Sequence, residues 1–98
     1  MARKPRQDPM LLTEVELDLM NIVWEKEKIT AGAAQIELVR SGIETAYTNV
    51  KAILDRLVKG GICSTKESKN RRYYTAAFSR DQIAERWLDH LYEKIFGE

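Results

Sequence analysis

Two short runs of this chain hold side chains suited to recognising a patterned polyanion, not to making or breaking bonds. The first is Thr45, Tyr47, Thr48, Asn49, Lys51 and Ala52; the second is Lys66, Lys69, Arg71 and Arg72. An asparagine carboxamide can pair bidentately with adenine, a lysine can reach the acceptors of guanine, and threonine or alanine methyls can pack on a thymine methyl. Thr45 and the N–H groups of a helix start can hold a phosphate, and Tyr47 can touch sugar or phosphate. The four cations of the second run suit a phosphate backbone. Charge follows the same division. The formal net charge is only +1, yet residues 48–72 carry seven basic side chains against two acids, Asp55 and Glu67. Asp55 sits awkwardly among the first run's readers, four residues after Lys51, where it either steers that ammonium or lies beyond the groove edge.

Catalysis finds no matching set. There is no Ser/His/Asp grouping beyond chance, no glycine-rich phosphate loop and no pair of carboxylates in a recognisable motif. No enzyme activity and no cofactor are expected. Cys63 is the single cysteine and His90 the single histidine, which leaves no intramolecular disulfide and too few ligands for zinc. Cys63 is expected to be a small core residue and not a redox switch. No apolar run reaches the length of a membrane span, and residues 1–9 lack the apolar stretch of a signal peptide. A cytoplasmic protein without membrane insertion is the expectation.

The elements that must position these side chains follow from caps, breakers and periodicity. With 98 residues, 44% of them hydrophobic, the chain makes one small core. Residues 1–10, with two prolines and three basic side chains, read as a flexible basic arm. Thr13-x-x-Glu16 is a capping box, with Leu12 and Leu17 as its staple, and it opens a first helix whose Leu17, Met20, Val23 and Trp24 point inward. Thr30 caps a second helix over 31–40, with Ala33, Ile36 and Val39 as its inward face and Gly42 as its stop. A third helix runs over 45–59, burying Val50, Ile53, Leu54 and Leu57 and turning Thr48, Lys51, Ala52, Asp55 and Lys59 outward. Gly60-Gly61 ends it. A hairpin over 62–75 carries the basic tip 66–72, and Ser79-x-x-Gln82 starts a fourth helix.

That order is a winged helix-turn-helix: mainly α with a small β-wing, followed by a C-terminal helix. The division is a DNA-binding domain over 11–77 and a helix over 78–98. In this geometry the third helix enters the major groove of double-stranded DNA, its N-terminal residues nearest the base edges. The fourth helix has more apolar surface than so small a domain can cover. Ala84, Leu88, Leu91 and Ile95 recur at helical spacing, with Trp87 and Tyr92 beside them. A symmetric homodimer on a palindromic operator would use that surface.

Four motifs in order carry a resemblance. Leu12-Thr13-Glu14-Val15-Glu16 with Met20 and Val23-Trp24, then Ala46-Tyr47-Thr48-Asn49-Val50, then Leu54-x-Arg56-Leu57-x-Lys59-Gly60-Gly61, then Arg71-Arg72-Tyr73-Tyr74, resemble the penicillinase-repressor family. That family includes the β-lactamase, methicillin-resistance and copper-operon repressors. The resemblance implies a bacterial dimeric repressor, with base and phosphate contacts at Thr48, Asn49 and Lys51 and with Arg71 and Arg72 in the wing. It also implies, for resistance-type members, relief of repression by a membrane sensor-protease pathway that cleaves the C-terminal helical region. The cysteine cluster of copper-responsive members is absent, and the chain ends at Glu98, where relatives continue through further dimerisation helices. The expectation is therefore either a truncated chain or a dimer resting on the fourth helix alone. Two other readings stay open: a protein-interaction module, which has no need of cations on both elements, and a ligand-sensing regulator with a pocket at the dimer interface.

Overall fold

A computed structural model describes residues 8–97. In chain order they form α1 (Glu14–Lys26), α2 (Ala31–Arg40), α3 (Tyr47–Lys59), β1 (Cys63–Ser68), β2 (Arg71–Ala76) and α4 (Arg80–Phe96). Both capping boxes are made. The Thr13 hydroxyl accepts from the Glu16 N–H at 3.3 Å while the Glu16 carboxylate accepts from the Thr13 N–H at 2.8 Å. Ser79 and Gln82 repeat the exchange at 3.1 and 2.8 Å. Each satisfies two donors that a helix start leaves open.

Helices α2 and α3 end the same way, in a Schellman turn. At the end of α2, Gly42 adopts φ 94°, its N–H donates to the Val39 carbonyl at 3.0 Å, and the Ile43 N–H reaches the Leu38 carbonyl at 2.9 Å. At the end of α3, Gly61 has φ 82°, its N–H donates to the Val58 carbonyl at 3.0 Å, and the Ile62 N–H reaches the Leu57 carbonyl at 2.8 Å. A side chain at either left-handed glycine would strain the turn. The second turn aims the chain directly into the hairpin.

Strands β1 and β2 pair antiparallel, Cys63 opposite Ala76 through to Ser68 opposite Arg71. Lys69 and Asn70, with φ 52° and 65°, make the two-residue turn between them, the twist that matches flanking strands. Ile29 adds a further bridge: its N–H donates to the Tyr74 carbonyl at 3.1 Å and its carbonyl accepts from the Tyr74 N–H at 2.8 Å. The link between α1 and α2 thereby clamps the base of the hairpin to the helices.

The core lies among α1, α2 and α3 and under the hairpin, with Leu19, Met20, Val23, Leu38, Val50, Leu54, Leu57, Ile62 and Tyr74 almost fully buried. Glu16 is buried too, and its second carboxylate oxygen lies 3.9 Å from the Arg56 guanidinium. Two expectations need correction. The inward face of α2 is Ala31, Ala34 and Leu38; Ile36 and Val39 are 54% and 45% exposed, and Ala33 also faces out. The small side chains of Ala31 and Ala34 occupy the packed side instead. Helix α3 begins at Tyr47, two residues later than expected, because the Thr45 carbonyl accepts from the Gln35 side chain at 3.0 Å and holds that residue outside.

Of the expected arm, residues 1–7 lie outside the described residues. Asp8 pairs with the Arg86 guanidinium of α4 and accepts from the Met10 N–H at 2.9 Å, and Met10 packs against the core. Helix α4 buries only Ile83 fully and leaves Leu88, Leu91, Tyr92, Ile95 and Phe96 exposed.

Candidate nucleic-acid interface

The outward side of α3 and the basic hairpin meet around one carboxylate. Asp55 accepts from the Lys51 ammonium at 2.8 Å through one oxygen and from the Tyr74 hydroxyl at 2.7 Å through the other. The Arg72 guanidinium stands 4.0 Å from that second oxygen and 3.8 Å from Glu67, its cross-strand neighbour. The bonds from Lys51 and then from Tyr74 hold the Asp55 carboxyl below its ordinary range. The bond to Asp55 raises the Lys51 ammonium in turn, so the pair stays ionised at neutral pH. For the Tyr74 phenol, burial is the larger cause of an upward shift and donation to Asp55 the smaller, which keeps it a hydrogen-bond donor.

Helical spacing puts Tyr47, Thr48, Asn49 and Ala52 on the exposed side of α3, with Lys51 half-buried against Asp55. No side chain caps α3, whose N-cap is Ala46; its first turn presents backbone N–H groups without a covering hydroxyl. The Thr45 hydroxyl serves another purpose. It accepts from the Asn49 carboxamide at 3.2 Å, orienting that amide from the preceding loop. Thr45 therefore reaches the face through Asn49 and not as a helix cap.

Along β2, alternation divides the two arginines. Arg72 shares the Tyr74 side, toward α3, while Arg71 shares the side of Tyr73, whose ring lies 4.9 Å beneath the Lys28 ammonium. Lys66, Lys69 and Arg71 are exposed and make no ion pair among the described residues. Between the hairpin and the helices opens a cleft of about 240 Å³, lined by Lys51, Arg71, Arg72 and Tyr47 and by the start of α2 at Thr30, Ala31 and Gly32. The sequence reading missed that last contribution, and missed Lys28. Its signal was present: Thr30 caps α2, and Gly32 leaves the first turn uncovered by a side chain.

The α4 residues form a second, separate surface. Ala84, Trp87 and Leu88 line an apolar groove of about 390 Å³ against Leu17 and Trp24 of α1, and Leu91, Tyr92 and Ile95 are exposed further along the helix. The Trp87 indole N–H is buried without an acceptor among the described residues, and the ring meets His90 edge-on at 5.7 Å. Cys63 is buried, 3.4 Å from the Met20 sulfur, and burial pushes its thiol up to about 11. Among the described residues, no three His, Cys, Asp or Glu side chains are grouped to hold a metal, and no helix is long and apolar enough to cross a membrane.

Known proteins share this architecture. The family model described as penicillinase repressor matches residues 12–98. A penicillinase repressor of Staphylococcus aureus is 24% identical over 86 residues, spanning 88% of this chain and 68% of that protein. The solution structure of the DNA binding domain of the repressor BlaI superposes with a TM-score of 0.64 at 20% identity, covering 78% of this chain and 90% of that one. The complex structure of hsRosR-S1 gives 0.67 at 19% identity, covering 94% and 83%. The arrangement of four helices and a two-stranded wing is thus that of a winged-helix domain.

Proposed function

Because the chain belongs to the penicillinase repressor family, we propose that it is a sequence-specific DNA-binding repressor of transcription, acting by binding and not by catalysis. One observation carries this reading: Lys51 of α3 and Arg72 of the hairpin meet at Asp55, which seats the basic wing beside the reader residues of the helix. Thr48, Asn49, Lys51 and Ala52 enter the major groove and read base edges, with Tyr47 at the groove wall and Thr45 orienting Asn49. Lys66, Lys69, Arg71 and Arg72 hold the backbone alongside, and the cleft at the start of α2 accepts a phosphate.

The site works in the cytoplasm as one half of a homodimer. Two copies joined through Ala84, Trp87, Leu88, Leu91, Tyr92 and Ile95 of α4 present two reading helices to a palindromic operator. The exposed apolar side chains of α4 support that pairing, and residues 11–77 then act as the reading head and 78–98 as the joint.

Selection of bound duplexes from a random pool at near-physiological salt tests the proposal. The expected product is a two-fold symmetric site with half-sites about 10 base pairs apart or a multiple of that. Recovery of no enriched sequence, with no ionic-strength-sensitive attachment to any duplex, would overturn it.

A further inference from the structure

We infer that Asp55 sets the specificity of the interface: a fixed negative charge inside a cationic face, it disfavours duplexes whose bases offer nothing to offset the repulsion. The inference rests on the DNA-binding reading and adds a residue role to it. Two geometric facts carry it. The carboxylate lies on the outward side of α3, one turn beyond Lys51, so phosphates brought near the helix approach it. And it is anchored. The Tyr74 hydroxyl holds one oxygen at 2.7 Å, while Tyr74 itself is buried and bonded through its backbone to Ile29 at 3.1 and 2.8 Å. To swing away from an incoming phosphate, Asp55 must surrender its bond to a residue that cannot follow.

The same carboxylate restrains the cations beside it. Lys51 is bonded at 2.8 Å and Arg72 stands at 4.0 Å, whereas Lys66, Lys69 and Arg71 make no ion pair among the described residues. Attachment to an arbitrary duplex draws on all five cations through counterion release. Two of them must first loosen from Asp55. The phosphate repulsion acts on every sequence, but only the right one relieves it, by offering Asn49 and Lys51 their base contacts and the carboxylate a donor such as a cytosine amine. A penalty relieved only on the matching sequence widens the ratio between the two.

Asp55→Asn separates charge from shape, because the carboxamide oxygen can still accept from Tyr74. Affinities for the selected duplex and for a scrambled one are measured by fluorescence anisotropy over a salt series, with urea denaturation as the folding control. The expected result is scrambled-duplex binding tightened about tenfold, a log K against log salt slope steeper by about one, and a ratio of specific to scrambled affinity lowered by about tenfold. Asp55→Glu, which restores the charge, should recover most of that ratio. An unchanged ratio in Asp55→Asn overturns the inference, and so does parallel weakening on both duplexes, the mark of a purely structural residue. Failure of the DNA-binding reading looks different: the unaltered protein would then bind neither duplex in a salt-sensitive way.

Discussion

The Trp24 indole N–H donates to the Phe78 carbonyl at 2.8 Å, tying the last turn of α1 to the loop that leads into α4. The Arg80 guanidinium lies 5.1 Å over the same ring. These contacts set the angle at which α4 leaves the body. Trp24→Phe keeps an aromatic ring but deletes the donor, so unfolding in urea should show about 1 kcal/mol of lost stability with an unchanged m-value. A midpoint equal to that of the unaltered protein would mean the carbonyl finds water as good a partner.

Base reading and electrostatics should separate by mutation. Asn49→Ala is expected to relax preference at one base position by about 1–3 kcal/mol, leaving random-duplex binding nearly intact. Arg71→Ala with Arg72→Ala should weaken binding to every duplex and flatten the salt slope by roughly one to two units. The lower end applies because Arg72 is already shared between Asp55 and Glu67. Indistinguishable losses on specific and random duplexes would dissolve the division of labour.

For the oligomer, Leu91→Asp on the exposed side of α4 is the diagnostic change. It removes no core contact, so the variant should fold, yet sediment as a monomer at concentrations where the unaltered chain is expected to form the proposed dimer. A species of unaltered size would locate the contact on another surface.

Cys63 predicts a pH and reactivity pattern. Its thiol is buried and raised from an ordinary 9.0 to about 11, so the folded state disfavours the thiolate relative to the unfolded chain. The stability this reflects is intact below 9.0 and is lost as pH rises through about 11. A thiol reagent at pH 8 should label the folded protein slowly and the urea-unfolded chain at once. Equal rates would show that the site opens freely.

Features set by neighbours in the chain were legible in the sequence, and those set by packing were not. The two capping boxes, the bounds Ala31–Arg40 of α2 and the link between Lys51 and Asp55 all depend on residues within four positions. The inward face of α2 did not yield to periodicity. Its ten residues place alanine, isoleucine, leucine and valine at nearly every phase, so the face is chosen by how closely Ala31 and Ala34 let a neighbour approach. Thr45 was expected to open the third helix, but its carbonyl and hydroxyl are taken by Gln35 and Asn49. Tyr74 reads, by residue type and place in a strand, as a packing residue. Its bond to Asp55, 19 residues away, and the cleft that α2 shares with the hairpin exist only once the elements are assembled.

Tyr74 is held twice, by its backbone at Ile29 and by its hydroxyl at Asp55. The hairpin is therefore built in at that residue and projects from it like a cantilever, its outer part from Lys66 to Arg71 exposed. Changes of length or charge in that overhang load the anchorage but leave α3 where it is. On the proposed reading, the wing outside the tie between Arg72 and Asp55 should accept changes of length or charge that retune grip on the backbone while leaving base preference to α3.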